Sequence, residues 1–419
     1  MSTSAPRSLR THVGLLGRRN VGKSSVLNAL VRQEVAIVSP TPGTTTDPVE
    51  KPMELLPLGP VLFVDTAGVD DEGALGARRI AGTRKVLERI DVALLVAEAG
   101  TWGPFEEALL AEVRARALPV VVVLNKADAA SPGPGVPSRL SAEGVPFVAT
   151  SATTGAGIDD LRAALLAAAP ADALEGRRIA GDLVAPGDVV VLVTPIDAEA
   201  PKGRLILPQV QTLRDLLDAG AVSVVVREHE LPAALARLAA PPRLVVTDSQ
   251  AFRLVDAATP PGVLLTSFSI LFARFHGDLA EMVRGVTAVD RLKDGDRVLV
   301  AEACTHHPTG EDIGRVKLPR WLRERSGAAL LFETVQGRGF PEDLSPYALV
   351  VHCGACMANR RETLSRVLRC RAASVPVTNY GLAIAFSLGI LERALGPFPA
   401  ALEAFRAARV SARAPEVPA

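Results

Sequence analysis

The stretch Gly17-Arg18-Arg19-Asn20-Val21-Gly22-Lys23-Ser24 decides the reading of the N-terminal part of the chain. It follows the apolar run Val13–Leu16 and opens an amphipathic segment, the order of strand, phosphate-binding loop and helix. Glycines at 17 and 22 let backbone N–H groups wrap phosphate oxygens, and the positive end of the following helix favours the same charge. The expected nucleotide contacts are Gly17, Asn20, Val21, Gly22, Lys23, Ser24 and Ser25. Lys23 is the catalytic lysine that reaches the β and γ phosphates, and Ser24 is a ligand of Mg²⁺.

Three more motifs follow in order. Asp65-Thr66-Ala67-Gly68 comes after the run Val61–Val64, so Asp65 is expected to hold Mg²⁺ through water and Gly68 to face the phosphate. Asn125-Lys126-Ala127-Asp128 follows Val120–Leu124. A carboxylate at Asp128 accepts from N1 and N2 of guanine, a donor pair that adenine lacks, which selects GTP and GDP. Ser151-Ala152 sits where a backbone N–H meets the guanine O6. Val69 stands where many signalling GTPases carry a water-orienting glutamine, so intrinsic hydrolysis is expected to be slow.

The chain has 419 residues, 48% of them hydrophobic, which suits two or three folded domains. Lys plus Arg and Asp plus Glu are 46 each, and aromatics are 4%, so bulk charge supplies no argument for nucleic acid or an anionic membrane. Met1 to Thr11 is polar, unlike a secretory leader, and Leu382–Leu391 is shorter than a spanning helix. A cytoplasmic protein is the expectation.

Valine-rich runs alternate with amphipathic segments over residues 13–168, the pattern of a doubly wound α/β domain. After a linker at Ala168–Arg178, the runs Val189–Val193, Val222–Val226, Leu244–Val246 and Val263–Leu265 predict a second α/β unit. Val298–Ala301 and Leu349–His352 predict strands of a third, with a helix over Arg361–Cys370. No internal repeat is visible.

The last third carries Cys304-Thr305-His306 and His352-Cys353-Gly354-Ala355-Cys356. A C-x-x-C at a strand–helix junction sets two thiolates on one side of a tight turn, where helix N–H groups stabilise them. The candidate metal ligands are Cys304, Cys353, Cys356 and His306. Zinc takes Cys₃His, and a 4Fe–4S cluster takes three cysteines with a non-cysteine fourth ligand, so spacing leaves both open. Cys370 reads as a small core residue.

The nucleotide motifs resemble those of TrmE- and Era-type GTPases. By that resemblance Pro42–Asp47 is the first switch, Thr45 is a catalytic switch threonine on Mg²⁺, and Asn20 helps hold an activating K⁺ ion. From about Arg10 to Ala407 the chain resembles the HydF family, GTPases that act in [FeFe]-hydrogenase maturation. Ala200–Gln209, Thr266–Arg274, Ala303–His307 and His352–Cys356 carry this likeness. It implies a P-loop GTPase domain over 10–170, an α/β dimerisation domain over 179–266 and an α/β iron–sulfur cluster-binding domain over 267–410. It also implies a homodimer and a 4Fe–4S cluster on Cys304, Cys353 and Cys356, with His306 as an exchangeable fourth ligand. The implied role is a scaffold for a transient diiron precursor, with radical-SAM maturases and apo-[FeFe]-hydrogenase as partners and neither nucleic acid nor membrane. The alternative is a ribosome- or tRNA-associated GTPase with a structural zinc site.

Overall fold

The computed structural model describes residues 5–31, 49–66, 85–170, 177–196, 205–303, 312–337 and 339–413. The chain divides into two compact units, Met1–Arg177 and Arg178–Ala419.

In the first unit the elements are β1 (Thr11–Leu16), α1 (Lys23–Val31), β2 (Val49–Leu55), β3 (Gly59–Asp65), β4 (Val92–Glu98), α2 (Pro104–Ala115), β5 (Val120–Asn125), α3 (Val136–Ala142), β6 (Phe147–Ala149) and α4 (Ile158–Ala168). The sheet order is β2-β3-β1-β4-β5-β6, with β2 antiparallel to β3 and the other pairs parallel. β1 and β5 are buried along their whole length, as expected of parallel strands covered on both faces. Val13 and Leu15 pack on one face with Leu27 and Leu165, while Leu16 packs on the other with Leu110 and Val113. The sheet is therefore doubly wound, and its carboxyl ends carry the motif loops.

The second unit begins with β7 (Val189–Val193), α5 (Leu207–Asp218), β8 (Val222–Val226), α6 (Leu231–Arg237), β9 (Leu244–Thr247), α7 (Phe252–Ala258), β10 (Leu264–Ser267), α8 (Phe268–His276) and α9 (Leu279–Val286). It continues with β11 (Arg297–Glu302), α10 (Leu318–Ser326), β12 (Leu331–Gln336), β13 (Leu349–His352), α11 (Arg360–Ala372), β14 (Val377–Asn379), α12 (Tyr380–Ser387), α13 (Leu391–Ala394) and α14 (Pro399–Arg413). The two parallel sheets are ordered β10-β9-β7-β8 and β12-β11-β13-β14.

Read from the other edge, the second order repeats the first, strand for strand. Register makes this a residue-level correspondence. Val193 pairs with Thr247 as Ala301 pairs with His352, and Thr247 pairs with Ser267 as His352 pairs with Asn379. Ser267 and Asn379 each cap the following helix, accepting from Ile270 N at 3.2 Å and Leu382 N at 3.0 Å. The repeat is one of topology and register, not of sequence, so the absence of a visible sequence repeat stands beside it. The matched positions hold different chemistry, Asp248 against Cys353 for example, so residue identity conceals it. One hydrophobic core runs through both halves, from Ile179 to Phe405. At their junction Ser269 Oγ accepts from Gly381 N at 3.0 Å; a Cβ at Gly381 would lie 2.8 Å from that of Ser269.

Candidate functional sites

The phosphate loop leaves β1 at Leu16 and enters α1 at Lys23. Two close approaches require its glycines. Gly17 has φ +137°, and a Cβ there would lie 2.1 Å from Val96 O; Gly22 has φ +91°, and a Cβ would lie 2.4 Å from Asn125 Nδ2. Asn20 is exposed at φ +61°, a left-handed conformation that asparagine tolerates better than most side chains. Val21 is buried and Ser25 half-buried. Lys23 is buried and its Nζ donates to Gly17 O at 2.9 Å and Arg18 O at 2.6 Å. Ser24 Oγ donates to Asp65 Oδ2 at 3.0 Å. Asp65 Oδ1 is buried and has no hydrogen-bond partner among the described residues. Burial pushes this carboxyl up, and the charge of Lys23 opposes the shift. A divalent cation beside Ser24 would satisfy the orphan oxygen and hold Asp65 ionised. Thr45 and Gly68 lie outside the described residues.

At the base-binding end Asn125 is 2% exposed. Its Nδ2 donates to Val21 O at 2.9 Å, and its Oδ1 accepts from Thr150 Oγ1 at 3.3 Å and Ala152 N at 3.2 Å. One amide thus staples the phosphate loop to the Ser151-Ala152 loop. Lys126 has φ +61° and pairs with Glu98, and Asp128 is exposed. Ser151 N–H donates to Ala156 O at 2.9 Å, so both amides of this motif are engaged within the protein, that of Ala152 with Asn125.

Sequence reasoning passed over Arg18. Its guanidinium forms a two-pronged ion pair with Glu106 in the first turn of α2, at 2.7 and 3.1 Å. The partners lie 88 residues apart, and a glutamate early in a helix reads only as a cap.

The turn Cys353-Gly354-Ala355-Cys356 lies at the carboxyl end of β13, which adjoins β11 where the order of connection reverses, a usual position for binding crevices. Cys353 N donates to Ala301 O at 2.9 Å. Cys353 Sγ accepts from Ala303 N at 3.1 Å and Ala355 N at 3.4 Å. Two amides aimed at one sulfur suit a thiolate or metal-bound sulfur better than a thiol, a weak acceptor. Cys353 and Cys356 are half-buried, and Ala355 between them has φ +54°. Cys304 and His306 lie outside the described residues, and no group of three metal-ligating side chains gathers among those described.

His352 is 1% exposed, with Nδ1 3.1 Å from Cys353 O and Nε2 3.0 Å from Arg366 Nη1. Burial, reinforced by Arg366, lowers its pKa to about 3. The neutral ring therefore donates from Nδ1 and accepts at Nε2, which leaves no nitrogen for a metal without breaking the Arg366 contact. Glu302, 2% exposed, accepts from Gln336 Nε2 at 2.9 Å and Tyr380 OH at 3.3 Å beside the same turn. Cys370 is fully buried in the core and burial pushes its thiol up to about 12, which marks an inert residue.

Comparison with known proteins bears on both units. A 50S ribosome-binding GTPase family model matches residues 12–126. GTPase Der of Wolinella succinogenes is 41% identical over 172 residues, 39% of this chain and 36% of that protein. The tRNA modification GTPase MnmE of Chloroflexus aurantiacus is 43% identical over 157 residues, 36% and 32% of the two chains. The chain spans about a third of the length of the curated relatives it matches. Among solved structures, an Aquifex aeolicus Era variant bound to GDP and AlF₄⁻ is 21% identical, covering 59% of this chain and 99% of that one, at a TM-score of 0.35. The first unit is a P-loop GTPase domain.

For the second unit, the hydrogen maturase F dimerization domain matches residues 179–277 and the hydrogen maturase F tetramerization domain matches residues 280–397. Together they cover just over half of the chain. No helix among the described residues is long and apolar enough to cross a membrane. With a GTPase domain followed in order by these two domains, the chain belongs to the hydrogen maturase F family.

Proposed function

We propose that the protein is a GTP-hydrolysing scaffold that carries the diiron precursor of [FeFe]-hydrogenase and delivers it to the apo-enzyme. The working division is a GTP-binding domain over 10–170, a dimerisation domain over 179–266 and a cluster-binding domain over 267–410. The observation that carries the reading is the contact of Ala303 N with Cys353 Sγ, because the next residue is Cys304. It supports Cys304, Cys353 and Cys356 as holders of one 4Fe–4S cluster, with His306 as the fourth ligand. When bound, such a cluster supplies an iron site that exchanges its non-cysteine ligand, which suits a carrier.

The chain's own residues then act as follows. Ala303 and Ala355 orient the Cys353 sulfur, and Arg366 fixes His352 beneath the turn. In the first unit Lys23 grips the β and γ phosphates, Ser24, Thr45 and Asp65 serve Mg²⁺, and Asp128 reads guanine; Asn20 is the residue for K⁺. GTP turnover modulates the meeting with radical-SAM maturases and with the hydrogenase. A homodimer through the middle sheet is supported by β8, an edge strand with Val222 52% and Val225 41% exposed.

The test is a maturation assay with two variants. Cys353→Ser is expected to abolish activation of apo-hydrogenase and keep GTP hydrolysis, while Lys23→Ala loses hydrolysis and keeps its iron. Activation by Cys353→Ser at the wild-type level would refute the scaffold.

A further inference from the structure

We infer that Arg18 is a positioning residue for nucleotide capture, acting through Glu106; the inference rests on the GTPase reading. Arg18 is the second residue of the phosphate loop. Its Nε and Nη2 meet Glu106 Oε1 and Oε2 at 2.7 and 3.1 Å, and its guanidinium lies 5.0 Å from the Phe105 ring centroid. Glu106 is 2% exposed and also accepts from Gly103 N at 3.0 Å, closing the start of α2.

A cap alone does not require this arrangement, because a glutamate in the first turn can close a helix while facing water. Burying its carboxylate is costly unless a cation meets it with good geometry, and here the cation belongs to the phosphate loop. The two-pronged pair therefore ties the Gly17-Arg18 backbone to a helix outside the loop.

That backbone is what Lys23 now grips. Its ammonium bridges Gly17 O and Arg18 O, so the position of those carbonyls sets where the lysine's charge stands when phosphate arrives. With Arg18 anchored, the carbonyls and the lysine they hold stay in place, and the loop receives phosphate already shaped. Without the anchor the Gly17-Arg18 peptide must be ordered during binding. That cost falls on affinity more than on the chemical step.

The experiment compares wild type, Arg18→Ala, Glu106→Gln and the double variant in the full-length protein, using a fluorescent GDP analogue and steady-state GTP hydrolysis. Each single variant is expected to weaken nucleotide affinity by about tenfold or more, raising KM by more than it lowers kcat. The double variant is expected to be no weaker than the worse single one, because both break one contact. Arg18→Lys is expected not to rescue, since an ammonium cannot make the fork. Glu106→Gln keeps the side-chain shape and carries the test if Arg18→Ala fails to fold. Wild-type affinity in the single variants, or losses that simply add, would overturn the inference. A wild-type protein that binds no guanine nucleotide would instead overturn the GTPase reading beneath it.

Discussion

Asn125→Ala should weaken the first unit and its nucleotide site together. The side chain is 2% exposed and makes three hydrogen bonds, donating to Val21 O and accepting from Thr150 Oγ1 and Ala152 N. A net contribution of about 1 kcal/mol per bond gives a loss of about 3 kcal/mol, because the alanine leaves Val21 O and Thr150 Oγ1 buried, and Ala152 N half-buried, without this partner. Both ends of the staple touch the nucleotide site, so the same loss appears as about 100-fold weaker GDP binding if the loops must be reordered on binding. The assay is urea unfolding of the full-length protein, followed by nucleotide titration. The first unit's transition should move to lower urea while the second unit's stays in place. An unchanged first transition with wild-type GDP affinity would refute the idea that this amide holds the two loops in register.

Two other outcomes follow from the same reasoning. His12 is 1% exposed and its pKa is lowered from 6.5 to about 4, chiefly by burial. The folded ring stays neutral where the unfolded ring takes a proton, so its stability contribution is whole above pH 6.5 and is lost as pH falls toward 4. About 3 kcal/mol is at stake, and His12→Gln should flatten that part of the first unit's stability–pH profile; an unchanged slope would discount the buried ring. Val225→Lys on β8 should lower the assembly state seen in sedimentation without shifting the unfolding midpoint of the GTPase domain, and an unchanged assembly state would place the middle-domain interface elsewhere.

The parts legible in the sequence are those where chemistry demands particular residues at short spacing. The Gly17–Ser24 loop, Asp65, the Asn125–Asp128 motif and the Cys353–Cys356 turn all lie at strand ends, as the apolar runs before them implied. β2, β12 and β14 were not anticipated. β2 is an edge strand, Val49–Leu55, interrupted by Pro52 and carrying three charged residues; β12 is also an edge; β14 spans three residues. None offers the long buried apolar run that marks β4 or β5. The Arg18–Glu106 pair, the Arg366–His352 contact and the repeated sheet order depend on partners brought together only by folding. Ser151 illustrates the remaining limit: its motif was readable, but its amide is engaged by Ala156, a choice made by the local turn.

We propose that Cys304, Cys353 and Cys356 of the second unit hold one iron–sulfur cluster. The most direct measurement is iron and acid-labile sulfide on anaerobically reconstituted protein, with EPR of the reduced sample, for wild type and Cys304→Ala. About four irons and four sulfides per chain are expected, with a 4Fe–4S signal that Cys304→Ala abolishes. Tightly bound zinc with no stable cluster in the wild-type protein would contradict it.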